Sequence, residues 1–397
     1  MVIQRFRPHF SGQGQQLELL CRAFVRRGLE PTVITAAYDQ PTVEEFIDGY
    51  RVVRLRSDIL GRAERGPRLR IRGPALAART LVQLYRRGPF DLVHIHALTD
   101  ALYGSWVWGR WQRRPVLFEM TLLGVDDAVT ALESPHRLAP LRHAMFRRCD
   151  GYAAISPALE RRYHDAGLPG DKLRLLPQGV DVDEFQPGGE PQARRAELGI
   201  PPTSPVLIFV GSLIHRKGVD VLLKAWSRIR CEHPEAHLVL VGRGSLPVGH
   251  PEERFWADQL RTLPSDAASR IHVLGVRDDV SRLLPVADIF VFPSRREGFG
   301  TVMIEAMACG LPCVVTDQPG ITDFIFGEDE TAGMVVPQED DQKLAAAVSG
   351  LLSDPARAAQ MGERARSRVV EKFNIERIAD RYLEFYADLI RDVRADS

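Results

Sequence analysis

The fold is decided by "ADIFVFPSRREGFGTVMIEAMACGLPCVVT", residues 287–316. The run ADIFVFP is rich in β-branched and aromatic residues and stops at Pro293, as a buried strand does. A polar, glycine-containing loop, SRREGFG, follows it. From Thr301 the chain is apolar for one helix length, to about Cys309, and Gly310 with Pro312 supplies the stop signal. The next run, LPCVVT, reads as a strand again. Strand, helix and strand in this order, with apolar strands, form the repeating unit of a parallel sheet covered by helices. The helix N-terminus then sits at the carboxyl end of a parallel strand. Free N–H groups and the positive end of the helix dipole attract phosphate there.

Glu305 is the one acid in this apolar helix, and burying it without a partner would be costly. Its place in the second turn suits a carboxylate that accepts hydrogen bonds from a vicinal diol such as a ribose. Gly298 and Gly300 allow backbone to approach a phosphate, and Glu297, ahead of the helix, addresses a different part of the same ligand. The alternative is that Glu305 merely complements the helix dipole and Glu297 is a solvated loop acid.

The same grammar extends in both directions. PTVIT, YRVVRL, FDLVHIH, RPVLFEM, DGYAAIS and LRLLP precede the segment 185–205, and PVLIFVG, HLVLVG, RIHVLG, ADIFVFPS, LPCVVT and AGMVVP follow it. Two sets of six strands predict an α/β protein with two doubly wound Rossmann-like domains. The prolines and glycines of FQPGGEPQARRAELGIPPTSP mark the boundary between them. The expected domains are residues 1–188 and 189–372. The amphipathic helix of residues 373–397, with no strand after it, is expected to cross back toward the first domain. The opening strand, MVIQ, is short, which implies either a stub or a start codon further upstream.

At 397 residues the chain is long for one core, and 45% hydrophobic with 26% charged residues is ordinary for a globular protein. No run approaches the roughly 20 apolar residues of a membrane span, and no signal core follows Met1, so a cytoplasmic location is expected. The five scattered cysteines include no C-x-x-C pair, which argues against a disulfide framework or zinc knuckle. Formal net charge is zero, and nucleic acid is not an expected partner. Residues 51–87, however, hold eleven arginines against two acids. This stretch is either an ordinary solvated surface or one that meets anionic lipid or an anionic acceptor at the inner membrane face.

Other candidates are read beside their plainer alternatives. Gly12 and Gly14 lie in a turn between strand and helix; a dinucleotide fingerprint fails because Leu17 stands at the third glycine position. His94 and His96 share one face of a strand, with His96 at its carboxyl end, so each is either a satisfied structural histidine or an acceptor-side group. The aspartate pairs 126–127 and 278–279 could bind a hard cation, but no D-x-D follows a strand, and no catalytic metal is expected.

EGFGTVMIE, two acids with seven residues between them, followed by AMACGLPCVVTD, resembles the signature of the large retaining glycosyltransferase family of GT-B fold. CDGYAAISPALERRYHDAGLPGDKLRLLPQGVDVDEF, LIFVGSLIHRKGVDVLLKAW and DDVSRLLPVADIFVFPSRREGFG are similar to the family's other motifs, so the likeness covers nearly the whole chain. It implies two Rossmann-like domains facing a cleft and a nucleotide diphosphate sugar as donor substrate, UDP- or GDP-linked, with no further cofactor. It also implies a hydroxyl acceptor, for which the arginine stretch of residues 51–87 suggests a lipid-linked or anionic molecule, and work in envelope, polysaccharide or glycolipid synthesis.

By that resemblance Glu305 holds the donor ribose, and the backbone of Gly298, Phe299, Gly300, Thr301 and Val302 meets the diphosphate or sugar. Gly12, Gly14, Val276 and Arg277 join the donor side. Glu297 contacts donor-sugar hydroxyls near the reacting centre. Lys217 stabilises the departing diphosphate, with Arg216 as a candidate for the charge that the family usually places at Ser212; both could instead be solvated turn residues. The acceptor side departs from the pattern. Thr121 and Leu122 stand where a His-Gly pair is usual, Gln178 replaces an Asn, and His96, Thr121, Glu119, Asp126 and Asp127 are the candidates there. Two other functions on such a scaffold are a nucleotide-sugar epimerase and a non-catalytic nucleotide-sugar binding partner.

Overall fold

The computed structural model describes residues 1–8, 11–38, 43–57, 72–96, 101–133, 139–244, 254–327 and 331–395. The chain divides into two compact units, residues 1–179 with 375–397, and residues 180–374. The first contains one sheet of eight strands: β1 (Val2–Ile3), β2 (Thr32–Tyr38), β3 (Val43–Ile47), β4 (Tyr50–Ser57), β5 (Val93–His96), β6 (Val116–Met120), β7 (Gly151–Ala154) and β8 (Leu173–Leu175). Their order is β3-β4-β2-β1-β5-β6-β7-β8, parallel except for β3 against β4. The order reverses between β1 and β5, where Ile3 pairs with His96. A crevice opens at such a reversal, because the connections from the two strands leave to opposite faces.

The second unit holds β9 (Val206–Val210), β10 (His237–Val241), β11 (Ile271–Gly275), β12 (Ile289–Phe292), β13 (Cys313–Thr316) and β14 (Met334–Val336), all parallel, in the order β11-β10-β9-β12-β13-β14. All six strands expected for this half are present, and its reversal falls between β9 and β12. Both middle strands are buried almost throughout, as their unbroken apolar runs require.

Two differences from the sequence reading have physical causes. The first sheet has an additional strand, β3, whose VEEFI carries two glutamates and is largely exposed at the sheet edge. It is a hairpin partner of β4 through Asp48 (φ 47°) and Gly49 (φ 85°), so the Asp-Gly pair was its one visible signal. The unit boundary also lies at 179/180 and not 188/189. Val180 N–H donates to Phe373 O at 2.8 Å and the Arg366 guanidinium donates to Phe185 O at 3.2 Å, which ties residues 180–187 into the second unit ahead of the proline-rich stretch.

The helix Ile375–Ala395 belongs to the first unit by its packing. Ile375, Ile378, Ala379, Tyr382, Phe385 and Leu389 recur at helical spacing and share a core with Leu20, Ala23 and Phe24 of the helix Gly12–Arg26 and with Leu117 and Ala153 of the sheet. Each large side chain buried there contributes about 1.5–3 kcal/mol. Arg27 fixes the register by pairing with Asp380 at 2.7 Å and with Glu376.

In the second unit the turn after β9 is pressed against the end of β12. Gly218 has φ 69°, and a Cβ there would lie 1.8 Å from Pro293 O. Gly218→Ala should therefore destabilise this unit by about 2 kcal/mol or more, a fall in melting temperature of about 4–8 °C. Gly275→Ala, at a similar φ but with no atom within 4 Å of its Cβ, should show a smaller fall in the same calorimetric scan. Equal losses would refute the close approach as the cause.

Candidate active site

At the reversal point of the second sheet, the loop after β12 folds onto the loop after β9. Arg295 N–H donates to Arg216 O at 2.9 Å, and Ser294 Oγ lies 3.3 Å from the same carbonyl. Arg295 locks the arrangement by forking onto Asp220 at 2.7 and 2.8 Å and pairing with Glu339. These contacts carry Lys217 and Glu297 together.

Lys217 Nζ donates to Glu297 Oε1 at 2.5 Å, Ser294 Oγ donates to the same oxygen at 2.5 Å, and the Arg216 guanidinium lies 3.5 Å away. Glu297 is buried, which by itself raises its pKa. Lys217 and Arg216 outweigh that effect and hold the carboxyl below its ordinary range. Burial pulls the Lys217 ammonium down, with Glu297 opposing and Arg216 adding to the fall. Lys217 Nζ also stands 4.9 Å from the centre of the Phe292 ring. The expected alternative of solvated turn residues fails here: Arg216 and Lys217 both converge on Glu297.

The helix Thr301–Ala308 begins beside this cluster with Gly300 as its cap at φ 85°, ψ 55°. A side chain at 300 would have to occupy this left-handed conformation and would meet the Met303 Cε at 2.4 Å. The Phe299 side chain points into the core and packs edge-on against Phe373 at 5.7 Å, so only its backbone is available to a ligand. Glu305 is partly exposed, and among the described residues its carboxylate has no hydrogen bond or ion pair. Burial, and then Glu184, push it up to about 7.

The first unit holds a second polar cluster at its own reversal point. His96 Nδ1 donates to Glu119 Oε1 at 3.1 Å, Tyr382 OH donates to Glu119 Oε2 at 2.6 Å, and His94 Nε2 lies 3.2 Å from that oxygen. His94 Nδ1 meets Tyr386 OH at 2.7 Å. Burial, and then His96, lower His94 to about 3, so it is neutral. Burial raises the Glu119 carboxyl, yet the two histidines hold it well below the usual range. Ligand atoms of His94, His96 and Glu119 lie within 4.8 Å of one another, close enough to hold a metal ion. The sequence reading considered only aspartate pairs for that role. It also missed Ser294, Tyr382 and Tyr386; the tyrosines were hidden in an amphipathic stripe that reads as plain core.

Residues 10–184 match the family described as Glycosyltransferase Family 4, and residues 191–368 match Glycosyl transferases group 1. The chain is 30% identical over 399 residues to D-inositol 3-phosphate glycosyltransferase of Kineococcus radiotolerans, covering 95% of this chain and 90% of that one. This chain belongs to the group 1, family 4 glycosyltransferases. It is also 32% identical over 238 residues to a GDP-mannose-dependent monoacylated alpha-(1-6)-phosphatidylinositol monomannoside mannosyltransferase of Corynebacterium glutamicum, covering 57% of this chain and 59% of that one. Sucrose-phosphate synthase of Thermosynechococcus elongatus superposes with a TM-score of 0.79 at 25% identity, over 100% of this chain and 98% of that chain. The two Rossmann-like units are those of the GT-B fold, and these relatives are sugar transferases, not epimerases or binding partners.

Several residues expected at the site also make contacts within their own unit. Gly12 and Gly14 lie in the first turn of the helix Gly12–Arg26, not in a loop, and Gly14 N–H donates to its cap Ser11 Oγ at 3.4 Å. Val276 is exposed after β11, and Arg277 is held by Asp279 through bonds of 2.8 and 2.7 Å. Asp126 is buried and receives Thr121 Oγ1–H at 2.5 Å, Thr121 N–H at 3.0 Å and Leu122 N–H at 2.6 Å. Thr121 and Asp126 thus close a turn on each other. Asp127 does the same for Gly124 and Thr130, and both aspartates are buried.

Glu305→Gln separates ligand chemistry from folding. The folded carboxyl is raised to about 7, above its ordinary 4.5, so wild-type stability declines as pH rises from about 4.5 through 7. The variant should melt higher than wild type at pH 8, match it near pH 5, and lose the stabilisation that a nucleotide sugar confers. A variant that melts like wild type at both pH values would show that Glu305 is not an unsatisfied acid.

Proposed function

We propose that the chain transfers a sugar from a nucleotide diphosphate donor to a hydroxyl acceptor with retention of anomeric configuration. Glu305 grips the ribose, and Lys217, Arg216 and Glu297 surround the diphosphate and sugar. The observation that carries this reading is the contrast within one helix-and-loop unit. Glu297 Oε1 is met by donors from its own chain, whereas the carboxylate of Glu305, eight residues on in the second turn of the helix Thr301–Ala308, has none among the described residues.

In the proposed reaction the bond from the sugar C1 to the diphosphate oxygen breaks as the acceptor oxygen approaches the same face. The acceptor proton passes to the departing diphosphate, so no protein carboxylate need act as nucleophile. Lys217 and Arg216 then stabilise charge that grows on the leaving group, with Glu297 holding Lys217 in place until the donor arrives. Thermal shift against a panel of nucleotides and nucleotide sugars names the donor, since a ligand at 100 times its Kd stabilises by about 2.7 kcal/mol. With that donor, Lys217→Ala should lower kcat by about 10²–10³. Glu305→Ala should act mainly on donor KM. EDTA should leave turnover intact; wild-type kcat in Lys217→Ala, or loss of activity in EDTA, overturns the scheme.

Peripheral membrane contact is part of the proposal, in a narrower form than the arginine stretch suggested. Residues 58–71 of that stretch lie outside the described residues. Of the remainder, Arg51 and Arg87 pair with Glu44 and Arg54 pairs with Glu45, so β3 neutralises much of the charge. What supports lipid contact is an aromatic pair, Tyr85 and Trp111, 60% and 70% exposed with ring centres 6.0 Å apart, flanked by exposed Arg86. No helix of the described residues is long and apolar enough to cross a membrane. Flotation with vesicles containing phosphatidylserine should carry the protein upward at low salt, and Tyr85→Ala with Trp111→Ala should reduce the bound fraction about tenfold. Equal flotation with neutral vesicles, or none, counts against the contact.

A further inference from the structure

The first unit contains a pocket at the carboxyl end of β5, bordered by Gln16, Leu17, Gln178 and Ile378, with His96, Glu119 and Tyr382 in its wall. Its free space is about 20 Å³, the room of one water-sized group. His96 is 3% exposed, and its Nε2 has no hydrogen-bond partner although the atom is buried. A buried nitrogen without a partner is a standing cost that a ligand can remove.

The ring is not free to turn and satisfy itself elsewhere. Its Nδ1–H is held by Glu119 Oε1 at 3.1 Å, and the other oxygen of that carboxylate is held by Tyr382 OH at 2.6 Å. A carboxylate only accepts, so it places a proton on Nδ1, and in the neutral ring the lone pair then lies on Nε2. The arrangement is that of a histidine oriented by an acid, with the acid in turn oriented by a tyrosine from the helix Ile375–Ala395.

We propose that His96 Nε2 accepts a hydrogen bond from one alcohol hydroxyl of the acceptor, and that Glu119 and Tyr382 are positioning residues that hold the imidazole ready for it. This rests on the transferase reading above and specifies its acceptor. Among the described residues the pocket wall carries an anionic carboxylate and no lysine or arginine, so it repels phosphate and carboxylate groups. Any charged part of the acceptor therefore binds outside this pocket, and the group presented to His96 is a neutral hydroxyl of a polyol or sugar.

The test uses the full-length protein with ¹⁵N-labelled histidine and reads the His96 ring nitrogens, assigned with His96→Gln. Glycerol, myo-inositol and methyl α-D-glucopyranoside are added in turn, with acetate and inorganic phosphate at equal concentration. A saturable shift of Nε2 with at least one polyol and not with the anions, sharply reduced in Tyr382→Phe, is the expected result. No shift with any polyol, a larger shift with phosphate, or stoichiometric metal in the purified protein would overturn it. With the donor named by thermal shift, His96→Gln should raise acceptor KM about tenfold, the loss of one hydrogen bond, and leave donor KM unchanged. A protein that binds no nucleotide sugar yet shows the polyol shift would refute the transferase reading and keep this one. The reverse pattern would do the opposite.

Discussion

The second unit is organised around a buried ion pair, Lys217 with Glu297, 2.5 Å apart. Removing two charges from water is expensive, and their attraction compensates only when the remaining lone pairs and protons are also satisfied. The surroundings meet that condition at one oxygen of the carboxylate, Oε1. Ser294 donates to the carboxylate, Arg216 stands beside it, and the Phe292 ring lies near the ammonium. None of these groups could converge unless the loops after β9 and β12 were in backbone contact, and that contact needs a residue without a side chain at 218. Strand order explains why these two loops are neighbours: β9 and β12 flank the reversal of the sheet, so residues 80 apart in sequence meet at one edge.

Such a pair is poorly explained as a device for stability, because an apolar pair of equal volume is often as good or better. It is better explained as charge kept in a dry place until it is needed. Lys217 held by one oxygen of Glu297 retains two further donor protons. In the proposed reaction an arriving diphosphate would recruit them without first stripping water from a solvated lysine, the preorganisation on which electrostatic catalysis depends.

Legibility in the sequence followed chemistry. Four strands of the second sheet, β9, β10, β12 and β13, were visible because burial on both faces makes them apolar almost without interruption, and the partly exposed edge strands β11 and β14 still carry β-branched residues. Glu297, Glu305 and Lys217 stood out because a charge in or beside an apolar run demands a reason. β3 was hidden because an edge strand half in water has no such pattern, and Glu44 and Glu45 read as loop. Tyr382 was hidden for the opposite reason, since a tyrosine in an amphipathic stripe looks like ordinary core until the acid that it serves, 263 positions away, is brought to it. Arg277 and Asp126 looked like ligand groups and proved to be engaged with near neighbours, two and five residues off. Short-range pairing of that kind leaves no trace in residue type.

Glu119 and Glu305 together show how buried acids can be sorted. Both lie at the carboxyl end of a parallel sheet, and burial pushes both upward. Glu119 nevertheless ends far below the ordinary range and Glu305 well above it. The difference is that Glu119 is met by His96, His94 and Tyr382, whereas Glu305 is met by nothing but the distant repulsion of Glu184. An acid whose donors are built into the fold positions other groups, and its charge is complete before any ligand arrives. An acid left without donors carries a cost that folding did not remove, and a ligand that donates hydrogen bonds can remove it. Under the proposed function the first kind orients His96 for the acceptor, and the second receives the donor.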